Sequence, residues 1–97
     1  SPRIELIIMQ EKELLIINKL GLHARAAAKL INVTARFSSD ISLEKDGRAV
    51  DGKSIMSVMM LAASKGTTLT VKITGSDEES AMFAIEELIN NRFDEDE

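Results

Sequence analysis

His23, the only histidine of the chain, stands in Gly21-Leu22-His23-Ala24-Arg25-Ala26-Ala27-Ala28-Lys29-Leu30, where a glycine-containing turn gives way to a helix-forming run. Gly21 and Leu22 precede the helix, which places His23 at or beside the N-cap, where the first backbone N–H groups lack intrahelical acceptors. The positive end of a helix disfavours a second positive charge, so the imidazole is expected to stay neutral and nucleophilic near pH 7. Once a phosphoryl group is attached, the backbone around Ala24 and Ala26 and the Arg25 guanidinium favour its negative charge. An exposed ion pair contributes only about 0–1 kcal/mol, which suits a group that is to be passed on. Local physics leaves a second reading open, in which His23 is a capping or surface histidine and Arg25 a solvated cation.

The remaining composition limits the chemistry. A chain of 97 residues with 44% apolar content suits one domain with one modest core. Cysteine is absent, so disulfides and thiolate metal sites are excluded, and a single histidine excludes a multi-histidine zinc site. No metal or cofactor is implied. No apolar run approaches the roughly 20 residues of a membrane span, and Ser1-Pro2-Arg3-Ile4-Glu5 does not look like a signal peptide, so no membrane insertion is expected and a cytoplasmic location is. Twelve Lys+Arg against sixteen Asp+Glu give a net charge of −4, which repels a phosphate backbone and argues against nucleic acid.

The elements that must position His23 follow from periodicity. Lys12 to Asn18 reads as a strand and Ala24 to about Arg36 as an amphipathic helix, with Ala27, Leu30, Ile31, Thr34 and Ala35 on its apolar stripe. Asp40–Lys45 and Arg48–Asp51 flank Asp46-Gly47, a hairpin signal. Ser54 is set to cap a helix from Ile55 to about Ser64, with Gly66 as a left-handed C-cap. Thr67–Thr74 alternates as a strand. Ser76 with Glu79 forms a capping box for a last helix carrying Ala81, Met82, Ala84, Ile85, Leu88 and Ile89. The order β-α-β-β-α-β-α predicts an α+β open-faced two-layer sandwich: a four-stranded, mainly antiparallel sheet with three helices on one face. The domain is set at residues 11–93. Residues 1–10 form an extension in which Ile4-Glu5-Leu6-Ile7-Ile8 extends the strand, lies on the surface, or precedes an original start at Met9. Asp94-Glu95-Asp96-Glu97 reads as a solvated acidic tail.

Asn18-Lys19-Leu20-Gly21-Leu22-His23-Ala24-Arg25 and the small-residue helix behind it resemble the active-site segment of HPr, the histidine-containing phosphocarrier of the bacterial phosphoenolpyruvate-dependent phosphotransferase system. The resemblance spans about Glu11 to Phe93 and includes the helix start Lys53-Ser54-Ile55-Met56 and the turn Lys65-Gly66. It implies the same sandwich fold. It also implies that His23 accepts phosphate on Nδ1 from phosphorylated enzyme I and passes it to an enzyme IIA component, with Arg25 as the supporting cation. Such a protein is a stoichiometric intermediate and not a turnover enzyme, and a monomer is expected. The ending Ile89-Asn90-Asn91-Arg92-Phe93-Asp94-Glu95-Asp96 is similar to the nitrogen-related branch of the family, whereas Lys53-Ser54-Ile55-Met56 is similar to sugar-related carriers of Gram-positive type.

Where the family usually has proline after the arginine, this chain has Ala26. That supplies a spare N–H and good helix propensity while leaving the unfolded chain freer. The substitution bears on transfer rate and partner choice, and it is the best support for an alternative, a regulatory module of the same fold in which His23 is never phosphorylated. In many family members the serine at the place of Ser54 is phosphorylated by a dedicated kinase that redirects the carrier to a regulatory protein; the simpler role for Ser54 is an N-cap. Ile55, Met56, Val58, Met59, Met60 and Leu61 are too many apolar residues for one buried stripe. Val58 and Leu61 are assigned to the core, and the resemblance places Ile55, Met56 and Met59 outward as a docking face, rimmed by Arg25, Lys29 and Lys53. Phe37, Phe83 and Phe93 are placed at core-like positions or the terminus, which disfavours base stacking. No second base or carboxylate pair converges on His23 by sequence, so a hydrolase is not supported.

Overall fold

Leu69, Val71 and Ile73 are buried while Thr68, Lys72 and Thr74 between and beside them are not, the period-two pattern of a strand with one face in a core. That strand is one of the two inner members of the sheet in a computed structural model, which describes residues 9–97. The elements are β1 (Gln10–Leu15), α1 (Ala24–Thr34), β2 (Asp40–Lys45), β3 (Arg48–Asp51), α2 (Ile55–Met60), β4 (Thr68–Thr74) and α3 (Glu78–Asn90), followed by a short turn of helix at Arg92–Asp94. The spatial order is β1-β4-β2-β3, and every pairing is antiparallel. Register sets Leu14 opposite Leu69, Leu43 opposite Val71 and Ile41 opposite Ile73, one apolar row across the sheet. Ala27, Leu30 and Val33 of α1 and Met82, Ile85 and Ile89 of α3 join that row in a single core. The open-faced α+β sandwich and its element order are therefore those the sequence implies. Whether Ile4-Glu5-Leu6-Ile7-Ile8 extends β1 lies outside the described residues.

Several local expectations are corrected. β1 ends at Leu15, although the pairing goes on through Ile16, whose N–H donates to Thr67 O (2.9 Å) and whose carbonyl accepts from Gly66 N (2.8 Å); Ile17 and Asn18 then leave the ladder to build the turn before His23. In α1 the buried residues are Ala26, Ala27, Leu30, Val33 and Thr34. Ile31 is half-buried and Ala35 exposed, because contact with α2 and α3 rotates the stripe toward Ala26 and Val33. α2 stops at Met60, and the left-handed residue that closes it is Ala62 (φ +52°); Gly66 is left-handed too (φ +92°) but lies in the turn before β4 and does not cap α2. The Lys45 ammonium donates to Leu61 O and Ala62 O (3.0 and 3.2 Å) and so caps that end. The capping box expected of Ser76 and Glu79 does not form at α3: Asp77 is the N-cap and its side chain makes no cap bond, while Glu78 reaches back to accept from Gly75 N (2.9 Å). Phe83 is 64% exposed, since at helical spacing it points away from the side shared by Met82, Ile85 and Ile89.

Asp77 is spared its own cap because its carboxylate ties the α1–β2 connection to α3. It accepts from Ser38 N (2.8 Å), Ser39 N (3.0 Å) and both serine hydroxyls. These donors, the Ser39 hydroxyl foremost, lower its pKa from 3.8 to about 2 against a smaller opposing effect of desolvation. Gly21 is a second fixed point. Its φ is +68°, and a Cβ there would lie 2.6 Å from Ala63 O and 2.7 Å from Ser64 Cα, so both conformation and space demand glycine.

Because the folded Asp77 carboxyl is the stronger acid, its stabilisation is complete above the unfolded value and disappears as pH falls through the folded one. Asp77→Ala is expected to melt at lower temperature than the parent at neutral pH, with the difference closing between pH 3.8 and about 2 in thermal melts. Gly21→Ala is expected to lose about 2 kcal/mol or more in urea unfolding, the sum of left-handed strain and a backbone clash.

Candidate functional site

Asn18, the end of the first extended segment, is completely buried and folds the following turn around its own side chain. Its Nδ2 donates to Gly21 O at 2.7 Å, while Gly21 N donates to Asn18 O at 3.2 Å. Leu22 N then donates to Ala63 O at 2.8 Å, which fastens the turn to the connection after α2. Leu22 is buried, and the next residue, His23, emerges half-exposed as the N-cap of α1 with extended backbone (φ −73°, ψ 177°).

The His23 side chain does not cap the helix, so the ring and the helix end remain separately available. The first intrahelical bond is Ala27 N to His23 O (2.8 Å). Among the described residues the N–H groups of Ala24, Arg25 and Ala26 have no backbone acceptor, which leaves three donors and the positive end of the dipole beside the imidazole. Ala26 is fully buried at this first turn, where a small side chain fits under the core. Arg25 is exposed and makes no ion pair with a described residue.

Asp94, Asp96 and Glu97 of the acidic tail are exposed, but the run folds back so that Glu95 covers one side of the site. Phe93 is fully buried and drags the chain through three left-handed residues, Arg92, Phe93 and Asp94 (φ +56°, +53° and +65°). Each costs about 1–2 kcal/mol in a non-glycine residue, offset by the large apolar area of a buried phenyl ring. Lys29 Nζ donates to Phe93 O (2.9 Å), and Asn91 Nδ2 to Asp94 Oδ1 (2.7 Å). The turn delivers Glu95 to His23, whose Nε2 is hydrogen-bonded to Glu95 Oε2, while Asn18 Nδ2 donates to Glu95 Oε1 at 3.0 Å. Burial works to raise the Glu95 pKa, but the hydrogen bonds from Asn18 and His23, with the nearby Lys29 charge, outweigh it and the net direction is downward. Glu97 bridges to Lys19 through a 3.3 Å ion pair.

An open cleft of about 320 Å³ results, lined by Leu20 and His23, by the basic Lys19 and Arg25 and by the acidic Glu95, Asp96 and Glu97. A larger groove of about 800 Å³ between α1 and α3, lined by Val33, Phe83 and Leu88 among carboxylates and amides, holds no nucleophile.

Of the other residues singled out in the sequence, Ser54 is the N-cap of α2 and its hydroxyl accepts from Ser57 N at 3.3 Å. Val58 and Leu61 are buried, and Ile55, Met56 and Met59 are exposed together with Met60 and Leu20. The basic rim is narrower than expected. Lys53 Nζ is taken by Phe37 O (2.7 Å) and Lys29 by the tail, which leaves Arg25 as the exposed cation of the three. Sequence reasoning missed Glu95 as the partner of the ring and Asn18 as the residue that holds Glu95.

No helix among the described residues is long and apolar enough to cross a membrane. A family model described as "PTS HPr component phosphorylation site" matches residues 10–91. The phosphocarrier protein HPr of Xylella fastidiosa is 56% identical over 88 residues, 91% of this chain and 99% of that protein. Among solved structures, HPr-C-His from Thermoanaerobacter tengcongensis superposes with a TM-score of 0.88 at 42% identity, covering 91% of this chain and 99% of that one. An HPr dimer from the same organism gives 0.73 at 45% identity over 82% and 92%. Sheet order, a partly exposed N-cap histidine and these likenesses converge, and the chain belongs to the HPr family of phosphocarrier proteins of the phosphotransferase system.

Proposed function

We propose that His23 is the phosphoacceptor: its Nδ1 takes a phosphoryl group from phosphorylated enzyme I and delivers it to an enzyme IIA component, the protein being a stoichiometric carrier. The observation that carries this reading is the half-exposed ring at an uncapped helix N-terminus. With Nε2 engaged by Glu95, Nδ1 is the nitrogen left to attack. Its lone pair forms the new bond to phosphorus while the donor's bond to phosphorus breaks and that electron pair stays with the donor. The Ala24, Arg25 and Ala26 N–H groups and the Arg25 guanidinium then face a dianion, and the exposed position of Arg25 keeps its contribution small.

Ile55, Met56 and Met59, with Leu20 and Met60 added, supply an apolar docking surface on the side of the molecule where the Leu22–Ala63 bond joins α2 to the His23 turn. Flexible methionines suit successive partners of different shape. Ser54 is a second candidate for modification, by a serine kinase; phosphorylation would add a dianion beside this surface and lower affinity for acidic partners. A monomer is proposed as the working form, since one chain supplies every group named.

Incubation with enzyme I and phosphoenolpyruvate is expected to give an acid-labile, base-stable phosphoprotein, and His23→Ala to give none. An adduct that persists in His23→Ala rejects the assignment, and no adduct on the parent favours the regulatory module instead. Arg25→Ala is expected to remain phosphorylatable with a rate reduced at most about fivefold, as befits an exposed charge, measured by single-turnover transfer. Ser54→Ala is expected to lose about 1 kcal/mol of stability through the missing cap, read by urea unfolding.

A further inference from the structure

The contact between Glu95 and His23 does more than cover the site. Glu95 is four-fifths buried at its side chain, and the turn that carries it is held by Phe93, Lys29 and Asn91. Asn18 occupies Oε1 and leaves Oε2 for the ring. Residue 95 also lies beyond the stretch matched by the family model, which ends at 91.

We propose that Glu95 is a positioning residue for phosphotransfer, holding the Nε2–H tautomer of His23 and balancing the charge that the ring gains when Nδ1 is phosphorylated. The proposal rests on the phosphocarrier reading of His23. An ionised carboxylate only accepts hydrogen bonds, so the contact puts the proton on Nε2 and the lone pair on Nδ1, as an orienting carboxylate does for a catalytic histidine. Attack through Nδ1 leaves Nε2 protonated, and the ring becomes a cation against the Glu95 carboxylate. In onward transfer the Nδ1–phosphorus bond breaks, its electron pair returns to Nδ1, and the departing ring is again the neutral Nε2–H tautomer. Were Nε2 to lose its proton, the ring would have to leave as an anion, a far poorer leaving group. By favouring the protonated phosphoimidazole, Glu95 assists both acceptance and release.

Ring-nitrogen NMR of unphosphorylated protein and single-turnover transfer from enzyme I test this together. The parent is expected to show His23 almost wholly as the Nε2–H tautomer. Glu95→Ala, and a chain ending at Asp94, are expected to mix the tautomers and slow transfer by roughly three- to tenfold, the scale of one charge-assisted hydrogen bond at a partly exposed site. Glu95→Gln still accepts a hydrogen bond without charge, and is expected to restore the tautomer but only part of the rate. Matching thermal melts establish that these variants are folded. Unchanged ring signals and rates in Glu95→Ala, or faster transfer as from removal of a plug, overturn the proposal while the phosphocarrier reading stands. Absence of any adduct on the parent removes that reading and the proposal with it.

Discussion

The uncapped N-terminus of α1 is the constraint around which the molecule is organised. A helix start ordinarily satisfies its first N–H groups with a side-chain cap or water. Here the N-cap side chain turns away, and the donors of Ala24, Arg25 and Ala26 are kept together with the imidazole. That arrangement is stable only if the chain entering the helix cannot collapse onto it. Asn18 locks the turn from inside, Gly21 lets it pass against the Ala63–Ser64 backbone, and the Leu22–Ala63 bond fastens it to the far side of α2. Each of these is a buried polar or steric requirement, with little tolerance for substitution.

The same physics explains why the site is two-signed. A helix N-terminus and a guanidinium favour a bound phosphoryl group, yet a carrier that held it too well would not release it. The acidic tail folds against the ring and sets the Glu95 carboxylate on one of its nitrogens. The buried Phe93 gives that tail a fixed path despite three left-handed residues. The imidazole thus has the uncapped helix start beside it and a hydrogen bond to the tail at Nε2.

Local chemistry made much of this legible without coordinates. Asp46-Gly47 turned where a primed hairpin turn requires positive φ at both residues (+52° and +81°), and the alternation of Thr68–Thr74 marked an inner strand by its pattern of burial. Errors gathered where a tertiary bond overrode a local preference. α2 stopped early because the backbone at Ala63 is committed to Leu22 and because Lys45 caps the preceding carbonyls. Asp77 took the cap of α3 from Ser76 because its carboxylate is held by Ser38 and Ser39 across the loop. Phe83 and Phe93 exchanged the environments composition would suggest: the mid-helix ring is exposed, and the one at the end is buried.

Residue types and periodicity by themselves determined the order of elements and the one-sided sheet and offered His23 as the candidate nucleophile, because each depends on neighbours within a few positions. Only the tertiary structure decided which groups surround that nucleophile. Glu95 lies 72 residues from His23 along the chain, and an acidic run carries no local signal separating a solvated tail from one pulled back by a buried ring. Proximity of that kind is set by where the core places Phe93, a property of the packed whole.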